Sequence, residues 1–122
     1  MRWIPTRVHG ALDYLWGALL LATPWLLGFA QGGPETWIAV ALAVGAIVYS
    51  LVTDYELGVA RVISMRGHLL LDFLGGLLLA ASPWLFGFAD RVWLPHAAFG
   101  LFSVAASLMT RTRVERHALA RA

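Results

Sequence analysis

Cysteine and lysine are both missing from the 122-residue sequence. Without cysteine the chain can form no disulfide, no thiolate metal site, no iron–sulfur cluster and no thiol nucleophile. Charged residues make up only 13% of the chain, about half the share that is typical of a soluble domain. The net charge of +2 is too small and too dispersed for a nucleic-acid groove, so we expect no nucleic-acid partner.

Hydrophobic residues make up 60% of the chain, and the mean hydropathy is +0.73. They are concentrated in four stretches bounded by charged residues or by glycine and proline: 10–30, 36–53, 68–89 and 92–110. At 1.5 Å per residue these lengths match a hydrocarbon core about 30 Å thick. Each stretch is apolar around its whole circumference, as a helix in contact with lipid would be. The sequence therefore predicts an all-α membrane protein with four transmembrane helices in contact with the lipid bilayer.

The second half of the chain repeats the first at an offset of 59 residues, and Thr23-Pro24-Trp25 matches Ser82-Pro83-Trp84. Each repeat holds two helices, so both copies enter the membrane in the same direction. We expect two tandem helical hairpins related by a parallel pseudo-two-fold along the membrane normal. The single domain, 1–122, then divides into repeat one at about 4–53, a loop at about 54–66, repeat two at about 63–110 and a tail at 111–122.

The arginines give an orientation to this arrangement. Only Arg91 falls on one side of the four-span arrangement, and eight arginines fall on the other: Arg2, Arg7, Arg61, Arg66, Arg111, Arg113, Arg116 and Arg121. Because positive residues are enriched in cytoplasmic loops, we expect both termini and the 54–66 loop in the cytoplasm. We expect this loop to form a short interfacial helix. Aromatic anchors are predicted at the outer interface (Trp25, Trp37, Trp84 and Trp93) and at the inner one (Trp3 and Tyr55).

The segments Leu21-Ala22-Thr23-Pro24-Trp25-Leu26-Leu27-Gly28-Phe29 and Leu79-Ala80-Ala81-Ser82-Pro83-Trp84-Leu85-Phe86-Gly87-Phe88 resemble the signature of the SPW-repeat family of small bacterial membrane proteins. A Ser-Pro-Trp motif in the first helix of each two-helix repeat identifies that family. The second copy matches it, whereas the first has Thr23 in place of serine. The resemblance covers about residues 4–110 and implies the fold and a bacterial cytoplasmic membrane location. It implies no catalytic residue.

Physically, the motif predicts the end of a helix. Proline removes a backbone hydrogen bond and kinks or ends a membrane helix. The preceding Thr23 or Ser82 hydroxyl can bond back to the carbonyl that is freed. The tryptophan then anchors the interface, and the following glycine permits a tight exit. A notch that binds lipid or a partner is the alternative interpretation of the same residues.

A polar stripe marks the other end of the first and third helices. His9, Asp13 and Gly17 are four residues apart and so share one face. Leu20 and Pro24 continue this face, and the third helix repeats it with His68, Asp72, Gly76, Leu79 and Pro83. Glycine lets another helix approach, so we expect the stripe to face protein. Supporting polar residues lie at the ends of the second and fourth helices: Ser50, Thr53, Ser107 and Thr110.

Three hypotheses account for His9, Asp13, His68 and Asp72. In the first, each aspartate accepts a hydrogen bond from the histidine of its own helix, or from a serine or threonine of the adjacent helix, and so fixes the packing. Alternatively, the four residues converge and bind a metal, an ion or protons. In the third, the two histidines ligate a haem.

The first hypothesis predicts a non-enzymatic packing or interaction module that assembles with its own copies or with a membrane-protein partner. The second predicts ion, proton or metal binding or transport. No motif implies a cofactor or an enzymatic activity. His96 is expected to be a satisfied histidine at the outer interface, and His117 to be solvated.

Overall fold

The computed structural model describes residues 2–114 of the chain. Within them it contains four α-helices and no strand, namely α1 (Thr6–Leu26), α2 (Pro34–Leu51), α3 (Met65–Leu85) and α4 (Leu94–Met109). The prediction of an all-helical fold with four helices is confirmed. The predictions for Arg116, His117 and Arg121 lie outside the described residues.

Two of these helices, α2 and α3, are long and apolar enough to cross a membrane, with mean hydropathies of 1.5 and 1.4. Helix α4 is apolar but has 16 residues, which extend about 24 Å. Helix α1 has 21 residues, and Arg7, His9 and Asp13 lower its mean hydropathy. Two possible spans are therefore found by length and composition, and the arrangement with four spans stays a prediction.

Helices that are adjacent in the chain pack most closely, α1 against α2 and α3 against α4, and further α2–α3 and α1–α4 contacts join the two hairpins. Glycine makes the close packing possible. A Cβ atom added at Gly17 would lie 2.6 Å from Ile47 Cγ1, and one added at Gly76 would lie 2.7 Å from the Gly100 carbonyl oxygen. The expectation that these two glycines face protein is confirmed.

Two short backbone bridges recur at equivalent places in the halves of the chain. Ile4 pairs with Thr110, and Ile63 pairs with Thr53, both in parallel orientation. The offset of 59 relates Ile4 to Ile63, and the offset of 57 relates Thr53 to Thr110. The segment before the first helix of each half is therefore hydrogen-bonded to the end of the last helix of the other half.

The Pro-Trp motif forms the C-terminal end of a helix, as expected. Pro24 lies in the last turn of α1, and Gly28 follows with a φ of +75°, which favours glycine. The Phe29 N–H donates to the Pro24 carbonyl at 2.8 Å, a Schellman-type closure. Helix α3 ends in the same way with Pro83, Gly87 (φ +73°) and Phe88, whose N–H donates at 2.8 Å.

The hydroxyl before each proline bonds back to the helix, but not always to the expected carbonyl. Ser82 Oγ donates to the Leu79 carbonyl at 2.6 Å, the carbonyl that the following proline leaves without a donor. Thr23 Oγ1 donates instead to the Leu19 carbonyl at 2.6 Å, one position away from the freed carbonyl. The prediction is right for Ser82 and wrong for Thr23, because the threonine rotamer found here reaches back four residues instead of three.

The segment between α2 and α3 contradicts two expectations. Residues 52–64 form turns and bends, so the prediction of a short interfacial helix in this loop is wrong. The next helix, α3, begins at Met65. Val59 donates its backbone N–H to the carbonyl of Leu51, the last residue of α2, and Val62 donates to the carbonyl of Val52, the residue that caps the helix. The loop therefore closes that helix end instead of starting a new helix. Tyr55 is fully buried and is no interfacial anchor. Trp3 and the four tryptophans near the hairpin turns are exposed, as expected for anchors.

Candidate metal centre

The two polar stripes meet. One ligand atom from each of His9, Asp13, His68 and Asp72 can be chosen so that all four lie within 4.8 Å of one another. The two histidines are 2% and 0% exposed, Asp72 is buried and Asp13 is nearly so. The second hypothesis required this convergence, and the spacing alone could not establish it.

The pairing crosses between the helices. His9 Nε2 lies 3.0 Å from Asp13 Oδ1 in its own helix but 2.7 Å from Asp72 Oδ2 in α3. His68 Nε2 lies 3.2 Å from Asp72 Oδ2 but 2.9 Å from Asp13 Oδ2 in α1. Pairing within each helix alone is therefore an incomplete description. Because the stripes of α1 and α3 face each other, each histidine contacts both carboxylates.

Threonines from the other repeat hold the outer nitrogen of each histidine. His9 Nδ1 lies 2.6 Å from Thr110 Oγ1, and His68 Nδ1 lies 2.8 Å from Thr53 Oγ1. Each hydroxyl donates its only proton to a backbone carbonyl of its own helix at 2.6 Å. Each hydroxyl oxygen must therefore accept from Nδ1–H. This assignment fixes the proton on Nδ1 and directs both Nε2 atoms toward the carboxylates.

His68 Nε2 is the unusual atom of the cluster. Its residue is fully buried, and the nitrogen lies 2.9 Å from Asp13 Oδ2 and 3.2 Å from Asp72 Oδ2. With the proton of this imidazole on Nδ1, the lone pair of Nε2 faces two carboxylates. Such an arrangement requires a proton or a cation between the nitrogen and the carboxylate oxygens.

Two tyrosines that the sequence analysis did not single out hold the carboxylates. Tyr49 donates a short hydrogen bond to Asp72 Oδ1, and Tyr55 donates to Asp13 Oδ2 at 2.8 Å. Burial, with the adjacent Asp13 carboxylate, raises the pKa of Tyr55 above its ordinary value, so its hydroxyl remains a donor at neutral pH. One signal was available: Tyr49 lies one helical turn before Thr53, on the same face.

The other predicted polar residues lie outside the cluster. Ser107 donates to the Val104 carbonyl at 2.7 Å, and Ser50 is buried without a hydrogen bond to any of the four residues. His96 lies near the other end of the bundle, where its Nε2 donates to the Glu35 carbonyl at 2.8 Å. It is 1% exposed, so its side chain lies inside the bundle at the end that carries the hairpin turns.

His96 also contacts the two phenylalanines of the Pro-Trp motifs, Phe29 and Phe88, with ring centroids 5.2 and 4.8 Å apart. The two motifs therefore meet at this histidine. Its Nδ1 has no hydrogen-bond partner among residues 2–114. The expectation of a satisfied histidine holds for one ring nitrogen only.

The space at the cluster is small. A cavity of about 20 Å³ is lined by the two aspartates, His9, Ser103 and neighbouring apolar residues. It has room for about one water-sized occupant. A porphyrin does not fit, so the haem hypothesis finds no support in this geometry. Two imidazole nitrogens and two carboxylate oxygens are, in contrast, a ligand set that divalent transition metals accept.

Comparison with known proteins gives one match. The family model described as the SPW repeat domain matches residues 7–110, which include both Pro-Trp motifs and all four helices except the first residue of α1. No curated protein and no solved structure matches the chain.

Proposed function

Because the chain belongs to the SPW repeat family, and because two of its helices could cross a membrane by length and composition, we propose that it is an integral protein of the bacterial cytoplasmic membrane. All four helices span the bilayer in this proposal, as two hairpins related by a parallel pseudo-two-fold. The recurrent Ile4–Thr110 and Ile63–Thr53 bridges support the symmetry. Exposed tryptophans at the hairpin turns and arginines at the opposite end support cytoplasmic termini.

We propose further that the protein is a non-enzymatic module whose four-residue cluster binds one divalent transition-metal cation of the zinc class. The observation that carries this proposal is the convergence of two buried histidines and two aspartates, whose ligand atoms lie within 4.8 Å of one another, with His68 Nε2 facing both carboxylates. A cation in the cluster would accept the lone pair of this nitrogen and the charge of both aspartates.

The distances fit such a cation. Zinc bonds to histidine and aspartate at about 2.0–2.1 Å, so the edges of a regular tetrahedron of ligands are about 3.3 Å long. Three histidine–aspartate contacts share one set of carboxylate oxygens, Asp72 Oδ2 and Asp13 Oδ2, and measure 2.7, 2.9 and 3.2 Å. The fourth, from His9 Nε2, is 3.0 Å long and reaches the other oxygen of Asp13, Oδ1. A tetrahedral shell would therefore require Asp13 to bind through one oxygen and the ligands to move slightly outward.

The surrounding hydrogen bonds fit as well. A histidine that binds a metal through one nitrogen usually donates the other N–H to a fixed acceptor, and ligating carboxylates are themselves hydrogen-bonded. Thr110 and Thr53 accept from the histidines, while Tyr49 and Tyr55 donate to the aspartates. With two neutral imidazoles and two carboxylates, a divalent cation makes the buried cluster electrically neutral.

A second candidate is supported by the crossed contacts. Without a cation, two protons make the same cluster neutral, and the His9–Asp72 and His68–Asp13 contacts then join the two repeats as a structural lock. In this alternative the protein is a packing or interaction module for further copies or for a membrane partner. The two candidates differ in one property: only the first requires a cation.

The test is metal binding by the purified protein in detergent. After treatment with chelator and removal of the chelator, zinc is titrated and bound metal is counted by elemental analysis. We expect one zinc per chain, with binding lost in His68→Gln and in Asp72→Asn. His96→Gln is the matched control, because it removes a buried histidine that lies outside the cluster, and it should retain one zinc.

Failure of the wild-type protein to bind zinc, cobalt or manganese would exclude the cation and leave the structural lock. Zinc that remains bound in His9→Gln/His68→Gln would show that the metal lies elsewhere, which also contradicts the proposal.

A further inference from the structure

The α3–α4 groove lies on the outer surface of the bundle, between the start of α3 and the end of α4. Its volume is about 400 Å³, and its lining includes Arg2, Arg66, Leu70, Phe73 and Leu108. Both arginines are exposed, and Leu70 and Leu108 are 57% and 53% exposed. None of the described residues that line the groove is acidic. The groove therefore places two cationic side chains beside an apolar wall that faces outward.

The hydrogen-bond donors of the two arginines are only partly used. Arg2 Nη1 donates to the Ser107 and Thr110 carbonyls at 3.0 and 2.6 Å, which fixes its guanidinium at the end of α4. A guanidinium carries further N–H donors on Nε and Nη2, and those of Arg2 have no partner among residues 2–114. The Arg66 guanidinium makes no hydrogen bond and no ion pair with the same residues. The groove can therefore hold an anion that offers acceptor oxygens to both side chains.

The internal repeat also indicates an anion at this end of α3. At the offset of 57, Arg113 corresponds to Glu56, whose carboxylate accepts from Thr6 Oγ1 at the start of α1 at 2.8 Å. Arg113 and Arg66 together line a further cavity of about 400 Å³ beside the start of α3. Its one acidic lining residue, Asp54, is paired with an arginine of its own loop at 3.9 Å. The first repeat thus supplies its own carboxylate where the second repeat adds a cation.

The apolar wall of the groove indicates a lipid. A soluble anion would contact only the arginines, whereas the exposed Leu70 and Leu108 offer contacts to a hydrocarbon chain. Leu74 and Leu77, which are 53% and 45% exposed, continue this apolar surface along α3. Anionic lipids are enriched in the cytoplasmic leaflet, and basic pockets between transmembrane helices on that side bind their headgroups. A phospholipid supplies both a phosphate and a chain.

We propose that the α3–α4 groove binds an anionic phospholipid of the cytoplasmic leaflet. The phosphate oxygens accept from Arg2 and Arg66, and an acyl chain lies along Leu70, Phe73 and Leu108. This inference rests on the proposed membrane location and does not depend on cation binding.

The probe is phosphatidylglycerol, which is titrated into the delipidated full-length protein in detergent, and bound lipids are counted by native mass spectrometry. We expect one phosphatidylglycerol per chain to bind before any further lipid. Phosphatidylcholine with the same acyl chains carries no net charge and should bind about fivefold more weakly or worse. Glycerol 3-phosphate, which offers the phosphate without a chain, should not displace the lipid at equal concentration. Displacement by it would overturn the assignment to a lipid.

The groove arginines are tested by substitution. Arg66→Gln should weaken binding of the first phosphatidylglycerol about fivefold, and Arg2→Gln/Arg66→Gln about 25-fold, since each basic residue near an anionic lipid contributes about a factor of five. Arg66→Gln alone suffices if loss of the Arg2 hydrogen bonds prevents folding, because the Arg66 guanidinium has no partner among the described residues. Arg7→Gln is the matched control. Arg7 corresponds to Arg66 in the first repeat but does not line the groove, so the affinity should not change.

Two results would overturn the proposal. One is equal binding of phosphatidylglycerol and phosphatidylcholine by the wild type, which is the outcome if residues 115–122 or a second copy of the chain cover the groove. The other is equal weakening by Arg66→Gln and Arg7→Gln, which would show a response to net charge alone. The membrane location is tested separately by washing cell membranes with alkaline carbonate. Release of the protein contradicts that location and the lipid site with it, whereas retention without a preference for phosphatidylglycerol contradicts the lipid site only.

Discussion

Replacement of Asp72 by asparagine removes one charge from the cluster and leaves its volume nearly unchanged. Asp72 contacts His9 at 2.7 Å and His68 at 3.2 Å, and it accepts from Tyr49. Removal of one partner from a buried ion pair costs about 3–5 kcal/mol of folding free energy. We expect Asp72→Asn to cost an amount in this range, and Asp13→Asn, which also loses contacts with both histidines, to cost a similar amount.

The two losses should not add. After the first substitution, loss of one proton from the cluster restores neutrality, and the second substitution then breaks fewer favourable contacts. Groups in direct contact usually show coupling energies of about 0.5–3 kcal/mol. The free energy of unfolding of Asp13→Asn/Asp72→Asn, measured by SDS titration in mixed micelles with chelator present, should therefore exceed the additive expectation by about 1–3 kcal/mol.

The matched control combines Asp72→Asn with Glu35→Gln. Glu35 is also a buried carboxylate, paired with Arg91 at 3.0 Å, but it precedes Tyr49 by 14 residues of α2, or about 21 Å. These two losses should add to within about 0.5 kcal/mol. Additivity of the same quality for Asp13 and Asp72 would refute the single four-residue cluster and restore two independent pairs.

Three further predictions concern packing, metal affinity and topology. Gly76→Ala should lower stability by about 1–3 kcal/mol, since the added methyl meets the Gly100 carbonyl. The adjacent Gly75→Ala adds its methyl group in open space and should be neutral or stabilise the protein by up to about 1 kcal/mol. Thermal unfolding should therefore give Gly75→Ala a higher melting temperature than Gly76→Ala, and the opposite ranking would contradict the packing described. Thr110→Val removes the acceptor of His9 Nδ1 and should weaken zinc binding about 10–100-fold in a competition titration, whereas Thr23→Val, at the other end of α1, should not. Reporter fusions at Gly33 and Arg121 should report the exterior and the cytoplasm, and two reporters on the same side would exclude four spans.

The sequence pattern identified the helices and the polar stripes because both follow from periodicity. The hydrophobic stretches and the charged residues between them predicted four helices, and the four-residue spacing of His9, Asp13 and Gly17 correctly indicated a buried face. The spacing could not show that the polar stripe of α1 contacts the polar stripe of α3, since that contact depends on how the two hairpins pack. Contacts between residues 63 positions apart, such as His9 and Asp72, leave no trace in the spacing of one helix.

The tyrosines show a second limit. Tyr55 follows α2 among charged residues, which is typical of an interfacial anchor, yet the 52–64 loop folds back and buries its ring beside His68 at 5.2 Å. That outcome depends on backbone hydrogen bonds between the loop and α2, which composition does not encode. Tyr49 lies inside an apolar stretch, and only the contact with Asp72 distinguishes it from an ordinary membrane aromatic.

The central claim is that His9, Asp13, His68 and Asp72 hold one divalent cation, and zinc X-ray absorption spectroscopy of the loaded protein tests it most directly. The account predicts a single shell of four nitrogen and oxygen neighbours at about 2.0 Å. It also predicts multiple scattering from two imidazoles, which should disappear in His9→Gln/His68→Gln. A six-coordinate oxygen shell without imidazole scattering, or a spectrum unchanged by the double substitution, would contradict it.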